Sequence, residues 1–331
     1  MLGDIVDLLA CPVCHGELTL EEGALRCAHG HAFDVARQGY VSLLVGSRAP
    51  GTADSAEMVA ARAGFLGAGH YAPLTEALAR SVAMRIPGSQ SAPAVGNRTE
   101  SFPKPPDGAT AKAYGGAGHG AAQEAGHTPV IVDAGAGTGH YLAAVLEGIG
   151  GGIGVAFDVS KHAVRRAARA HPRVGAFVAD VWRPLPIRSG VADVVMNVFA
   201  PRNGPEFRRI LRPGGVVVVV TPAPAHLSPL VRELGLLSVD EEKERRVARS
   251  LEGFVEAERQ TIEFDLHLAR DDIAEVVRMG PSAWHTEASE LEKQISGYIS
   301  RRVAKNREKA VVRAAFHLSI FEASPRSSIA P

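Results

Sequence analysis

The sequence predicts an α/β fold with a largely parallel sheet, preceded by a small Cys/His-rich module. Three observations lead there. All three cysteines, Cys11, Cys14 and Cys27, fall within the first 27 residues. Val130-Ile131-Val132 is a short buried-strand pattern that runs into a glycine-rich turn. Beyond it, helical patterns alternate with further strand-like runs, which is how a parallel sheet covered on both faces reads.

Taken in order, residues 1–38 are polar and rich in Cys and His, and residues 39–86 form a connector with helical periodicity. Ser55 is placed to cap a helix reaching Phe65, and a second helix spans Leu74 to Met84. Residues 87–128 are dominated by Gly, Ala, Pro and Ser; so little aliphatic surface cannot offset the entropy of ordering, and the segment reads as a disordered insert. From 129 to 331 the pattern is that of one domain. Strands are expected at Val130–Val132, Gly154–Phe157, Val174–Val178, Ala192–Asn197 and Val216–Thr221, with helices at Tyr141–Leu146, His162–Ala170 and Pro205–Leu211. Thr261–Leu268 and Val311–Phe321 alternate in the manner of antiparallel edge strands.

Bulk composition excludes some classes. With 331 residues and 46% hydrophobic content the chain can bury a large core. Its 36 basic and 36 acidic residues balance, which weighs against global attraction to a polyanion and leaves that question to local charge. The longest aliphatic run, Val216–Val220, is far too short to cross a bilayer, and no apolar leader is read at the start. No membrane partner and a cytoplasmic location are therefore expected.

An odd number of clustered cysteines suits a metal site better than a disulfide framework. Cys11-Pro-Val-Cys14 supplies one close thiolate pair, and Cys27-Ala-His-Gly-His31 a second pair. Four such ligands close a tetrahedron around zinc with no open position, so the site would be structural. His31 is the favoured fourth ligand, with His29 and His15 as competitors.

Asp133-Ala-Gly135-Ala-Gly137-Thr138-Gly139 lies where the first predicted strand of the large domain meets a helix. A dinucleotide fingerprint needs a third glycine three residues after the second; that position is His140, so the NAD pattern fails. An acid ahead of G-x-G-x-G instead resembles motif I of class I (Rossmann-like) methyltransferases, which bind S-adenosylmethionine. Asp158 and Asp180 close the next two strands, at the places where such enzymes hold the ribose hydroxyls and the adenine amino group.

Linked motifs then resemble one family. Cys11-x-x-Cys14, Cys27-x-x-x-His31, Gly39-Tyr40-Val41, Asp54-Ser55-Ala56-Glu57-Met58, Gly69-His70-Tyr71-Ala72-Pro73-Leu74 and Leu211-Arg212-Pro213-Gly214-Gly215 are similar to bacterial 23S rRNA guanine-N1 methyltransferases. Asn197-Val198-Phe199-Ala200-Pro201-Arg202-Asn203 and Met279-Gly280-Pro281-Ser282 resemble its tylosin- and mycinamicin-resistance branch. The resemblance implies methylation of a guanine in the hairpin 35 loop of 23S rRNA, at nucleotide 748 rather than 745. It further implies cofactor contacts at Tyr71, Gly137, Thr138 and His226, zinc on Cys11, Cys14, Cys27 and His31, and a homodimer. The insert is longer than the family's corresponding linker, and its His119 and His127 read as solvated.

Asn197 and Phe199 close the fourth strand of the domain, where the target base sits in this fold class: Asn197 is expected to bond the base edge and Phe199 to stack on it. Arg26, Arg37, Arg48, Arg62 and Arg202 are candidates for RNA contact, and the basic run from Arg301 through Arg313 reads as the solvated face of a helix. Two competing readings are a small-molecule (quinone- or sterol-type) methyltransferase and an RNA-binding protein with a degenerate cofactor site. Intact Asp133, Gly135, Gly137, Gly139 and Asp158 weigh against the latter.

Overall fold

Runs of β-branched residues settle into strands because their stiff side chains fit a pleated surface that is covered on both faces. The computed structural model describes residues 1–46, 53–86, 127–235, 250–280, 288–302 and 309–324. After a single turn α1 (Leu2–Ile5), strands β1 (Thr19–Glu21), β2 (Ala24–Arg26) and β3 (Ala32–Asp34) pair antiparallel into a small sheet. The main sheet is built from β4 (Tyr40–Ser42), β5 (Val130–Ala134), β6 (Ile153–Asp158), β7 (Val174–Val178), β8 (Ala192–Val198), β9 (Leu211–Pro222), β10 (Phe254–Leu268) and β11 (Ala310–Ala323). Its order is β10-β11-β9-β8-β5-β6-β7-β4, parallel from β9 to β4 and antiparallel at β9-β11 and β11-β10.

From β5 the chain steps outward through β6 and β7, then returns to β8 and β9 on the other side. This reversal opens a crevice above the carboxyl ends of β5 and β8, where ligands bind in open α/β sheets. The helices are α2 (Ala56–Gly67), α3 (Ala72–Ala83), α4 (His140–Ile149), α5 (Lys161–Ala167), α6 (Gly204–Ile210), α7 (Leu230–Glu233), α8 (Arg270–Arg278) and α9 (Ala288–Arg302). Ser55 caps α2 as its sequence position predicts, accepting a hydrogen bond from the Met58 amide at 3.2 Å.

Alternation along the central strands divides the core in two. Ile131, Val194 and Val218 face a cluster completed by α2, α3, α4, α8 and α9. Val130, Val132, Val195, Val217 and Val219 face a second cluster that contains Phe207 of α6 and the N-terminal residues Leu2, Ile5, Leu9, Leu18 and Leu25. A Cβ added to Gly175 would lie 2.5 Å from the Ile5 side chain, so the missing side chain there admits Ile5 onto β7. Full burial of Ile5, Leu9 and Leu25 contributes roughly 1.5–3 kcal/mol each. The small sheet is thereby seated on the large one.

Several sequence expectations change. β11 is an interior strand between β9 and β10 rather than an edge, because β10 adds outside it. The basic run does not share one helix: α9 ends at Arg302, while Arg313 lies in β11 and pairs with Glu263 (2.8 Å) and Asp265 (3.0 Å) of β10. His127, expected to be solvated, places Nε2 2.8 Å from the Asp193 carboxylate, which also accepts from the Val130 amide. Arg48, His119 and the insert before His127 lie outside the described residues. Among the described residues no helix is long and apolar enough to cross a membrane.

Candidate active site and metal centre

At the small sheet, two tight turns bring four ligand atoms together. The His15 amide donates to the Cys11 carbonyl at 2.8 Å, folding the first cysteine pair into a knuckle, and the Gly30 amide donates to the Cys27 carbonyl at 3.0 Å. Ligand atoms of Cys11, Cys14, Cys27 and His31 all lie within 4.8 Å of one another. His31, rather than His29 or His15, completes the group. Cys14 Sγ is 3.7 Å from Cys27 Sγ, and His31 Nδ1 is 3.2 Å from Cys27 Sγ and 3.6 Å from Cys11 Sγ. Zinc–sulfur bonds of about 2.3 Å in a tetrahedron require a sulfur–sulfur edge of roughly 3.8 Å, so the cluster has the size of a zinc site. Burial opposes ionisation of Cys27, but the His31 and His29 amides and the His31 ring outweigh it and bring the thiol down to about 6.

At the crevice, the loop after β5 is shaped by glycines with positive φ: Gly135 (79°), Gly137 (54°) and Gly139 (77°). Side chains would also collide there. A Cβ on Gly135 would lie 2.4 Å from Ala200 Cβ, and one on Gly139 2.9 Å from the Ala167 backbone. The Asp158 carboxylate, at the end of β6, accepts from the Gly137 amide at 2.9 Å and the Ser160 amide at 2.8 Å. Thr138, half-buried, sits between the last two glycines.

Asp133 is buried at the end of β5, and among the described residues its Oδ1 has no hydrogen-bond partner. Burial first, and the nearby Asp158 second, push its carboxyl up to about 7. Burial also raises Asp158, against the two amides that favour its charge. A buried acid with an unsatisfied oxygen beside a glycine loop has the chemistry to accept from a cationic ligand. Next to Asp158, a cavity of about 480 Å³ is lined by Tyr40, Leu44, Asp54, Val159, Lys161 and His162 among others.

The loop after β8 faces the glycine loop. Asn197 is fully buried and its Nδ2 donates to the Ala134 carbonyl at 3.0 Å and the Pro201 carbonyl at 2.8 Å, leaving Oδ1 without a partner among the described residues. Its amide hydrogens are therefore spent on the loop, and only Oδ1 remains for a ligand. Phe199 adopts φ 56°, a conformation that side chains rarely take, and is 43% exposed. It is therefore not a core residue; its ring packs beside Tyr141 and Phe316 and offers a face to solvent.

Tyr71 and His226, 155 positions apart, meet with Tyr71 Oη 3.4 Å from His226 Nε2. Both belong to an aromatic group with Phe316, and burial raises the Tyr71 hydroxyl well above the usual phenol range. Asp180, beyond β7, accepts from the Trp182 amide at 3.0 Å. Trp182 itself is 63% exposed. Arg62, read as a phosphate contact, turns inward instead: it pairs with Asp54, and Nη2 donates to the Met279 carbonyl at 3.1 Å.

A six-stranded parallel core with two antiparallel additions, a G-x-G-x-G loop at the switch point and a Cys3His module define a zinc-ribbon class I methyltransferase, dependent on S-adenosylmethionine. Residues 9–46 match the family described as RlmA, N-terminal (zinc ribbon), and residues 131–215 match a methyltransferase domain family. The chain is 46% identical over 321 residues to a Micromonospora griseorubida protein named for 23S rRNA (guanine-N(1)-)-methyltransferase activity, covering 96% of this chain and 97% of that one. It is 46% identical over 299 residues to the 23S rRNA (guanine(748)-N(1))-methyltransferase of Streptomyces fradiae, covering 89% and 92%. The YcgJ protein of Bacillus subtilis aligns in structure at 18% identity and a TM-score of 0.41, covering 60% of this chain and 93% of that one. The chain belongs to the 23S rRNA (guanine-N1)-methyltransferase family.

Proposed function

We propose that the chain methylates N1 of guanine 748, in the hairpin 35 loop of 23S rRNA, and thereby protects its host against tylosin- and mycinamicin-type macrolides. The Streptomyces relative's named position supports nucleotide 748 over 745. An rRNA substrate places the enzyme in the cytoplasm, and a homodimer completes the reading. Zinc is held by Cys11, Cys14, Cys27 and His31, and shapes the ribbon as an RNA-recognition module over residues 1–38. Residues 39–86 connect it to the methyltransferase domain of residues 129–331 and lend Tyr71 to the cofactor site.

One observation carries the catalytic reading: Ala200 rests against Gly135, which sets the exposed face of Phe199 beside the glycine loop. When bound, S-adenosylmethionine would supply an activated methyl group to guanine N1, with S-adenosylhomocysteine and the N1 proton as the groups released. Gly135, Gly137, Thr138 and Gly139 would let it approach the backbone, Asp133 would offer its free oxygen to the ammonium end, and Asp158 and Asp180 would hold ribose and adenine. Tyr71 and His226 close the site against water. Phe199 stacks on a base splayed from the loop, which costs less there than in a duplex. Asn197 Oδ1 accepts from the edge of that base while its amide holds the loop. Orientation is the protein's main contribution.

Primer extension on 23S rRNA from cells with and without the gene tests this. A new stop at nucleotide 748 is expected; a stop at 745, or activity confined to small acceptors, would overturn the assignment.

A further inference from the structure

Arg62 presents a cation to the glycine loop. A Cβ on Gly137 would lie 3.6 Å from Arg62 Nη1 and 3.7 Å from its Cδ, so the side chain runs along the loop at van der Waals range. The guanidinium is held from two directions, by the ion pair with Asp54 and the hydrogen bond to the Met279 carbonyl. Asp54 is itself anchored, its carbonyl accepting from Ser160 Oγ at 2.7 Å. A guanidinium carries five N–H donors in a rigid fork, so two fixed contacts leave donors for a third group. At 26% exposure the side chain is largely shielded from water.

Charge around the loop is lopsided. Asp54, Asp133 and Asp158 bring three carboxylates, and the field of Arg62 reaches both Asp158 and Tyr141. The methionine end of the methyl donor carries a cationic sulfonium, a cationic ammonium and one carboxylate. The acids suit the two cations; the carboxylate needs a cation of its own. A fixed guanidinium is the group best shaped to receive a carboxylate.

We propose that Arg62 binds the carboxylate of the cofactor's methionine end, with Asp54 and the Met279 carbonyl orienting the guanidinium for it. The assignment rests on the reading that seats the cofactor on the glycine loop. It makes α2 and the start of α8's trailing turn part of the cofactor site, and explains why a cation is held half-buried at Gly137.

Titration calorimetry on the full-length, zinc-loaded chain separates this role from a merely structural one. The ligands are S-adenosylhomocysteine and its decarboxylated analogue, which keeps the ammonium and lacks only the carboxylate. Arg62→Gln is expected to weaken S-adenosylhomocysteine by roughly 10- to 100-fold, the range of a lost charged hydrogen bond, while the analogue's affinity stays unchanged. Arg62→Lys should recover part of the loss, for S-adenosylhomocysteine alone. Equal weakening of both ligands, or none of either, would overturn the assignment and leave Arg62 a strut between Asp54 and Met279. Where Arg62→Gln does not fold, the Lys variant with the same two ligands decides by the same selectivity. A wild-type chain that binds neither ligand would instead overturn the glycine-loop reading on which the assignment rests.

Discussion

Ala200 occupies the space that a side chain on Gly135 would need: the two Cβ positions would be 2.4 Å apart. The loop after β8 and the glycine loop are therefore fitted to each other, and neither can shift alone. Gly135→Ala adds this collision to the strain of φ 79°. It is expected to cost roughly 1–3 kcal/mol of stability and to abolish measurable S-adenosylhomocysteine binding. Calorimetry showing wild-type affinity would disprove the fit.

Phe199→Leu removes the aromatic face and leaves the cofactor loop untouched. Base stacking on an aromatic is worth about 1–3 kcal/mol, so kcat/KM on 23S rRNA should fall by roughly 10- to 100-fold with cofactor affinity unchanged. Steady-state methylation assays alongside calorimetry check this; parallel losses in both would place Phe199 in the cofactor site instead.

Asn197→Ala leaves the Ala134 and Pro201 carbonyls without the donor they share. Unsatisfied buried groups cost about 1–3 kcal/mol each, so a lower thermal midpoint should accompany reduced turnover. A variant with wild-type turnover and intact cofactor binding would remove Asn197 from base positioning.

Asp133 gives the cofactor-free protein a pH dependence. Its carboxyl is pushed up to about 7, so between the ordinary carboxylate range and that value the folded chain holds a proton that the unfolded chain has released. Stability from this group is therefore lost as pH rises from about 4 to about 7, to a total of roughly 4 kcal/mol. Asp133→Asn should melt above the wild type in alkaline buffer and level with it in acid, by scanning calorimetry. Because the ionised form suits a cationic ligand, wild-type cofactor binding near neutrality should release a proton, seen as buffer-dependent binding heat.

Cys27→Ser removes one of four ligands from a cluster whose sulfur atoms belong to the second core. Zinc content should fall, and stability with it, since metal binding free energy contributes directly to folding. Residues Leu9, Leu18 and Leu25 share that core with Val132 and Phe207, so the loss should register in the melting of the whole chain rather than in the ribbon alone. A separate low-temperature transition for the ribbon would contradict the shared core.

Much of the architecture was legible because it is written in short windows. Cysteine spacing marked the metal module; the valine runs marked the strands; the acid ahead of G-x-G-x-G marked the turn between β5 and α4, and His140 at the third-glycine position spoke against the dinucleotide pattern. Ser55 announced a helix start by its chemistry alone. Each of these signals depends on residues within a turn or two of one another, and local sterics and hydrogen bonding suffice to read them.

Other features are properties of pairs distant in the chain, and only the folded arrangement decides them. Strand periodicity says that β11 is a strand but not that β10 lies outside it. Arg62 looked like a surface cation until α2 turned it against Gly137, and Arg313 fell both in a basic helical run and in a strand pattern until Glu263 and Asp265 stood opposite. His127 gained its partner from Asp193, 66 positions away. Gly175 gave no local hint that it exists to admit Ile5. In each case the deciding energy is a contact between segments that the sequence keeps apart, and it exists only once the sheet has brought them together.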